Sequence, residues 1–294
     1  MIGIEEPFKM SDDTFRLIRD FIRNYCGIYF DDGSKFLLEK RLSRRVENYL
    51  LNNFEDYYHF LMYDKRRDEE LTSVIEILTV NETYFFREFS QLKALSDEII
   101  PEIGERKKDR KRLRIWSAGC STGEEPYTIA ILILEKNLMP EWEIEILGSD
   151  INQRVLHAAR RGIYRKNAFR SIDDHYIRKY FTDEGEGNYR IVDPVRSLVN
   201  FSLLNLVDPF KVRFVGKMDV IFCRNVIIYF DRDTKKKVIN NFYDRLTEEG
   251  YLLLGHSESL MNISTDFMLR HFKNDLVYQK PTRSVLTGEM GWRR

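Results

Sequence analysis

The residues best suited to ligand chemistry lie in one short stretch of small side chains, Ser117-Ala-Gly-Cys-Ser-Thr-Gly-Glu-Glu-Pro126. A strand-like apolar run precedes it, and an apolar run of helical length follows it. Glycines between a strand and a helix commonly let the backbone approach a ligand closely. A phosphate-binding P-loop is excluded, because Gly119 and Gly123 are one residue too close and an acid replaces the lysine. We therefore expect a ligand other than a nucleoside triphosphate.

Two acids, Glu124 and Glu125, restrict the charge of that ligand. They fall in the predicted first helical turn, where they satisfy the positive end of the helix dipole and would repel an anion. S-adenosylmethionine fits, because its sulfonium and ammonium groups are positive and its ribose carries no phosphate. Asp150, at the end of the next predicted strand, could accept hydrogen bonds from both ribose hydroxyls. Each acid alone fits a helix cap better than a ligand site, but together their positions at successive strand ends favour a ligand site.

The elements that must position these acids follow two patterns. Residues 11–106 carry apolar side chains three and four apart after the candidate cap Ser11, which predicts a small all-helical region. From Leu113 onward, strand-like and helical patterns alternate, which predicts an α/β domain with a mostly parallel sheet. An antiparallel hairpin is predicted from residues 267–272 and 276–279. Residues 189–192 and 199–203, flanking Asp193-Pro194, suggest a short antiparallel insert.

Composition narrows the class of protein. The 294 residues suit one large and one small domain, and the 47 basic and 47 acidic residues give zero net charge, which argues against a nucleic-acid partner. Cys26, Cys120 and Cys223 are far apart, which argues for a reducing compartment and against a metal site. The first residues are charged, and no run approaches the ~18 apolar residues of a membrane span. We expect a cytoplasmic protein without membrane insertion.

Seven stretches, in the right order, resemble the CheR family of chemoreceptor protein-glutamate O-methyltransferases over nearly the whole chain. These stretches are Tyr25-Cys-Gly-Ile28, Val80-Asn-Glu-Thr-Tyr-Phe-Phe-Arg87, Trp116 to Tyr127, Gly148-Ser-Asp-Ile151, Arg161-Gly-Ile-Tyr164, Ile221 to Phe230 and Gly255-His-Ser-Glu-Ser259. The resemblance implies a Rossmann-like sheet of the S-adenosylmethionine-dependent methyltransferases with a small antiparallel β insert, preceded by a small all-helical domain. We expect these domains at residues 1–88 (helical), 89–283 (methyltransferase) and about 165–204 (insert), with a disordered tail at 284–294.

The resemblance also implies which residues bind the cofactor. They are Asn81, Thr83, Arg87, Glu125, Asp150, Asn205, Leu206, Arg224 and Asn225. The stretch between Asn205 and Arg224 is one residue longer than the family pattern. An acceptor glutamate is already ionised at neutral pH, so positioning should dominate catalysis, and Arg87 and Tyr229 are the candidates. Alternatively, Arg87 could pair with Glu82 or Glu88 at the surface, and Tyr229 could pack in the core.

A basic helix is the candidate receptor surface. Lys40, Arg41, Arg44 and Arg45 cluster on the side of a predicted helix that is opposite its apolar residues. Such a run could be only a solvated face. The resemblance implies that this domain faces the acidic methylation region in the cytoplasmic domain of methyl-accepting chemoreceptors, so we expect receptor binding here. The β insert could add a receptor's C-terminal peptide as an extra strand or merely cover a sheet edge.

The leading hypothesis is a monomeric enzyme that methylates receptor glutamates and releases S-adenosylhomocysteine. A methyltransferase acting on nucleic acid or a small molecule is less favoured, because the net charge is zero. Cys223 also does not follow a proline, as the nucleophile of a cytosine methyltransferase does, and the adenine-type motif D/N-P-P-Y/F is missing. A non-catalytic module that senses the cofactor would keep Glu125 and Asp150 but would not need Arg87 or Tyr229.

Overall fold

The computed structural model describes residues 8–282, and the chain divides into two compact units. The helical unit comprises the residues up to Val80 together with Tyr229–Asp231, and the α/β unit comprises Asn81–Ile228 and the residues from Arg232 onward. The predicted domain boundary was residue 88. The tail predicted at 284–294 lies outside the described residues. None of the helices in residues 8–282 is both long and apolar enough to cross a bilayer.

From residue 8 onward, the helical unit contains the α-helices α1 (Asp12–Cys26), α2 (Lys35–Asn48), α3 (Phe54–Tyr63) and α4 (Arg67–Leu78). Helix α1 begins after Ser11, as predicted, and the Ser11 side chain accepts a hydrogen bond from the Thr14 N–H at 3.1 Å. It ends at Gly27, where the left-handed φ of 83° suits a residue without a Cβ. Apolar residues three and four apart form one face of each helix, and these faces make the core of the unit.

The strands of the α/β unit are β1 (Arg112–Ala118), β2 (Glu143–Asp150), β3 (Ile163–Arg165), β4 (Phe181–Gly185), β5 (Asn188–Ile191), β6 (Val199–Leu203), β7 (Met218–Cys223), β8 (Leu246–Leu254), β9 (Met268–His271) and β10 (Leu276–Gln279). Its helices are α5 (Phe89–Ala94), α6 (Ile100–Lys107), α7 (Glu124–Glu135), α8 (Gln153–Arg161), α9 (Asp174–Tyr180), α10 (Asp193–Arg196), α11 (Pro209–Val212) and α12 (Arg232–Arg245).

Seven strands form the main sheet in the order β6-β2-β1-β7-β8-β10-β9. The first five are mutually parallel, whereas β10 is antiparallel to both β8 and β9. All six residues of β7 are buried, as is typical of a parallel strand covered on both faces. The predicted parallel sheet and the predicted edge hairpin are therefore confirmed.

The antiparallel insert differs from the prediction. Its three strands have the order β3-β5-β4, and β5 pairs with both neighbours. Pairing of residues 189–192 with 199–203 was wrong, because β6 lies parallel to β2 at the edge of the main sheet. The reason is local: Asp193-Pro194 opens the short helix α10, where the fixed φ of proline is favourable, and does not form a hairpin turn.

Candidate active site

The strand order reverses next to β1. The chain runs from β1 to β2 and β6 on one side, whereas β7 and β8 lie on the other side. In an open α/β sheet, ligands bind at such a reversal, beyond the carboxyl ends of the strands. The predicted site residues of the α/β unit that follow or end these strands are Glu125, Asp150, Asn205, Leu206, Arg224 and Asn225. The structure therefore brings these six predicted residues to one sheet edge.

The small-residue loop after β1 is held against the end of β2. The Gly119 and Cys120 N–H groups both donate to the Ser149 carbonyl oxygen, at 2.7 and 2.9 Å. Gly119 has a left-handed φ of 82°, and a Cβ there would lie 2.4 Å from a methyl carbon of Val226. Glycine is required at this position because both the conformation and the space exclude a side chain.

Asp150 is buried at the tip of β2 and faces this loop. Its Oδ2 accepts from the Ser121 N–H at 2.8 Å, and its Oδ1 accepts from the Asn152 N–H at 2.9 Å. Burial raises the pKa of Asp150, and these backbone N–H groups oppose the increase. A carboxylate offers about four acceptor positions, so each oxygen can still accept a ligand hydroxyl. The alternative role as a helix cap is wrong, because Asn152 is the N-cap of α8.

Glu124 and Glu125 both lie in the first turn of α7, as predicted, but their surroundings differ. Glu125 accepts from the Ser117 hydroxyl and from the Arg224 Nε, each at 2.6 Å. Glu124 is 4% exposed, and among residues 8–282 the Thr122 hydroxyl, at 2.6 Å, is its only side-chain partner. Burial raises the pKa of Glu124 to about 7. Near neutral pH, Glu124 is therefore partly protonated. Glu125, by contrast, is neutralised by the guanidinium of Arg224.

Arg224 joins several parts of the site. Besides Glu125, its guanidinium donates to the Arg87 carbonyl oxygen at 2.9 Å and to the Gln91 side-chain oxygen at 3.4 Å. Its Nη1 also lies 3.6 Å from Glu88 Oε2. Because Arg224 is buried and committed to these protein groups, it fixes Glu125 and the backbone of Arg87 relative to each other. Direct contact between Arg224 and the cofactor stays a prediction.

The loop after β7 is fixed by an acid that sequence reasoning missed. The Glu258 carboxylate accepts four backbone N–H groups, from Asn225 (2.8 Å), Val226 (3.0 Å), Ile228 (3.1 Å) and Gly255 (2.8 Å). Glu258 lies in the family-like stretch Gly255 to Ser259, but spacing alone gives no signal for an acid that binds the backbone of a distant loop. The bonds hold Asn225 in a left-handed conformation, with φ of 59°.

One buried acceptor in this loop lacks a partner. Asn225 Oδ1 receives no hydrogen bond from the residues that the structure describes. Leaving such a group unsatisfied costs about 1–3 kcal/mol, so a ligand N–H or O–H is a favourable partner. With Asp150 it makes a site rich in acceptors. This chemistry fits the ammonium and hydroxyl groups of S-adenosylmethionine.

Segment 81–87 is tied to the small-residue loop after β1. The Ser121 hydroxyl donates to the Asn81 carbonyl oxygen at 2.9 Å, and Thr83 is half-buried nearby in the chain. Arg87 Nη1 donates to the Glu82 carbonyl oxygen at 3.1 Å. Within residues 8–282 the Arg87 guanidinium makes no ion pair, so the alternative that it pairs with Glu82 or Glu88 is wrong.

The remaining predicted cofactor residues border the loop after β6. Asn205 Oδ1 accepts from the Val207 N–H at 3.2 Å. Leu206 is buried, and its carbonyl oxygen accepts from the Asn241 side chain at 3.2 Å. These bonds hold the turn that follows the strand, and the roles of the two residues toward the cofactor stay predictions.

The other predicted site residues lie in the helical unit. Tyr229 belongs to that unit, where its carbonyl oxygen accepts from the Tyr29 N–H at 2.9 Å, and its catalytic role stays a prediction. On α2, Lys40 and Arg44 are exposed, whereas Arg41 donates to the Leu78 carbonyl oxygen at 2.9 Å.

Arg45, the fourth predicted receptor-binding residue, has a structural partner. Its guanidinium forms a two-point ion pair with Glu70, with Nε 2.9 Å from Oε1, and the Glu70 side chain is fully buried. The Tyr57 hydroxyl also donates to Glu70. Contact between these residues and a receptor stays a prediction, and Lys40 and Arg44 are the most accessible of the four cations.

The parallel sheet and the acceptor-rich site formed by Asp150 and Asn225 fit an S-adenosylmethionine-dependent methyltransferase. Family models match most of the chain: "CheR methyltransferase, SAM binding domain" over residues 81–275 and "CheR methyltransferase, all-alpha domain" over residues 13–79. The chain therefore belongs to the CheR methyltransferase family. The family, fold class and cofactor predicted from the sequence are confirmed.

Several chemotaxis protein methyltransferases are similar to this chain over most of its length. Chemotaxis protein methyltransferase 2 of Vibrio cholerae is 38% identical, over 92% of this chain and 94% of its own length. The chemotaxis protein methyltransferase of Borreliella burgdorferi is 36% identical, over 85% of this chain and 89% of its own length. That of Salmonella typhimurium is 34% identical, over 92% of both chains. The matches span both units of the protein and are not confined to the cofactor-binding sheet.

Proposed function

We propose that this protein methylates glutamate side chains in the cytoplasmic domain of methyl-accepting chemoreceptors. The products are glutamate methyl esters and S-adenosylhomocysteine, and the reaction takes place in the cytoplasm. The observation that carries the proposal is the Arg87 guanidinium, which lies in the segment tied to the loop after β1 and forms no ion pair with any residue that the structure describes. A guanidinium in this state suits a carboxylate ligand.

The residues of the α/β unit divide the task of holding the cofactor. S-adenosylmethionine supplies a methyl group on a positively charged sulfur. Asp150 accepts from ribose hydroxyls, and Asn225 Oδ1 accepts an N–H or O–H that no described residue provides. Asn81, Thr83, Asn205 and Leu206 complete the lining. Glu125 and Arg224 neutralise each other and keep the loops after β1 and β7 together.

The acceptor needs orientation and does not need a base. A glutamate side chain has a pKa near ~4.3 and is ionised at neutral pH. Arg87 can bind a carboxylate of the receptor or of the cofactor, and Tyr229 is a second candidate that would donate one hydrogen bond to the acceptor. Both roles place the rate advantage in positioning.

Methylation of a nucleic-acid base has less support. The Cys223 side chain is fully buried, and burial raises the pKa of its thiol. A thiol in this state is a poor nucleophile. The basic and acidic residues of the chain are also equal in number, so the protein has no excess positive charge to attract a phosphate backbone.

The experiment uses purified full-length protein, S-adenosylmethionine labelled in its methyl group, and a receptor cytoplasmic fragment. We expect the label to enter the fragment and to leave as volatile methanol after brief treatment with mild base, because a carboxylate methyl group is an ester. A matched fragment with its methyl-accepting glutamates replaced by alanine should take up no label. Base-stable label, or equal label in both fragments, would contradict the proposal.

A further inference from the structure

Glu82 and Glu88 are the acids that most closely precede and follow Arg87 in the chain, and both are directed to other arginines. Glu82 Oε1 lies 2.8 Å from Arg170 Nη2, and Glu88 Oε2 lies 3.6 Å from Arg224 Nη1. The Arg87 guanidinium is nevertheless within reach of Glu82, because its Nη1 donates to the Glu82 carbonyl oxygen at 3.1 Å. The Glu82 backbone is therefore in contact with Arg87, whereas the Glu82 carboxylate is paired with Arg170.

Arg170 is held in place by more than Glu82. Its guanidinium carbon lies 3.8 Å from the centre of the Tyr84 ring, and that of Arg87 lies 5.7 Å from the centre of the same ring. Cation–π contacts at these distances are attractive. The Phe85 N–H donates to the Ala168 carbonyl oxygen at 2.9 Å, which joins the two chain segments just beside these side chains.

We propose that Arg170 is a positioning residue that binds Glu82 and so keeps Arg87 free to bind a carboxylate. Without Arg170, the Glu82 carboxylate could turn to the Arg87 guanidinium, which already contacts the Glu82 carbonyl oxygen, and an ion pair between them would compete with the ligand. The inference rests on the proposed function, in which Arg87 binds a carboxylate of the receptor glutamate or of the cofactor.

The expected effect is modest. The side chains of Arg170 and Glu82 are 45% and 70% exposed, and exposed ion pairs contribute at most about 1 kcal/mol. Competition from Glu82 should therefore weaken carboxylate binding by about three- to fivefold, the factor that corresponds to this energy. For the same reason, loss of the pair should hardly change the stability of the protein.

The test compares Arg170→Met, Glu82→Gln, the double variant and Arg170→Lys in the full-length protein. Calorimetric titration gives the affinity for S-adenosylhomocysteine, and initial rates with the receptor fragment at saturating S-adenosylmethionine give kcat/KM. We expect Arg170→Met to reduce one of these values by about three- to fivefold. Glu82→Gln alone should stay near wild type, the double variant should recover, and Arg170→Lys should lie in between.

The arm in which the loss occurs identifies the carboxylate. If the affinity for S-adenosylhomocysteine falls, Arg87 binds the carboxylate of the cofactor. If only kcat/KM falls, Arg87 binds the carboxylate of the receptor glutamate. If Glu82→Gln fails to rescue Arg170→Met, or if Arg170→Met has no effect, the inference is overturned. If Arg170→Met is poorly folded by circular dichroism, Arg170→Gln provides the same comparison.

Arg87→Met separates this inference from the proposed function. If this variant keeps both wild-type values, Arg87 binds no carboxylate, and the proposed role of Arg87 itself fails. If Arg87→Met is impaired while Arg170→Met is not, only the role of Arg170 is refuted. The base lability of the transferred methyl group is independent of both outcomes.

Discussion

Glu124→Gln should stabilise the protein at alkaline pH and leave it unchanged at acidic pH. Glu124 is 4% exposed, and its burial raises the pKa from its ordinary value of 4.5 to about 7. A carboxyl group whose pKa is higher in the folded state contributes stability that is fully present below pH 4.5. That contribution is lost as the pH rises through about 7. Most carboxylates that accept hydrogen bonds or ion pairs show the opposite dependence.

The magnitude follows from the two pKa values. Each pKa unit corresponds to about 1.36 kcal/mol, so the interval from 4.5 to about 7 gives about 3 kcal/mol above pH 7. Glutamine keeps the shape of the side chain, and its amide oxygen can accept the hydrogen bond that the Thr122 hydroxyl donates at 2.6 Å. The variant should therefore match wild type near pH 4.5 and exceed its free energy of unfolding by up to about 3 kcal/mol at pH 8.

Urea unfolding of both proteins at pH 5, 6.5 and 8 measures this difference. Glu125→Gln is the matched control, because it removes the partner of the buried Arg224 and should destabilise the protein at each of these pH values. A stability difference between Glu124→Gln and wild type that does not change with pH would refute the reasoning. So would a variant that is less stable than wild type at pH 8.

Two further predictions concern the ligand and the receptor. Asp150→Ala should weaken S-adenosylhomocysteine binding by roughly 1.5 to 3 kcal/mol, the scale of a lost hydrogen bond to a charged group. Calorimetric titration measures this change, and wild-type affinity of the variant would show that Asp150 does not bind the ligand. Reversing Lys40 and Arg44 to Glu should raise KM for the receptor fragment and leave S-adenosylhomocysteine affinity unchanged, whereas unchanged receptor kinetics would make this a solvated face. Arg45→Glu is unsuitable for that test, because it leaves Glu70 buried without its partner and should cost about 3–5 kcal/mol of stability.

The elements of the fold were predictable where the signal is local. The apolar periodicity of α1, with its Ser11 cap, and the short apolar runs of β1, β2 and β7 depend on neighbours within a few residues. The loop after β1 was also predictable, because its glycines and acids lie together in the chain. The pairing of residues 199–203 was not, because Asp193-Pro194 suits a turn and a helix start equally well.

The chemical state of the site depends on contacts that the sequence does not reveal. Glu124 and Glu125 are adjacent, yet one is buried and the other meets Arg224, which lies 99 residues away in the chain. Glu258 binds the backbone of a loop that begins more than thirty residues earlier. Family resemblance identified Arg87. Only the structure shows that the two acids that could have neutralised it are directed to Arg170 and Arg224 instead.

The net charge of zero does not show which arginines near the site have acidic partners and which do not. Arg224 is committed to Glu125, and Arg170 to Glu82, so these two arginines contribute little net charge toward a ligand. In segment 81–87, by contrast, no described acid neutralises the charge of Arg87. A module that only binds S-adenosylmethionine would gain nothing from a guanidinium that is unpaired within the described part of the chain, unless this guanidinium contacts the carboxylate of the cofactor. If Arg87→Met leaves cofactor binding intact and reduces methyl transfer, the guanidinium serves the acceptor, and the non-catalytic alternative is excluded.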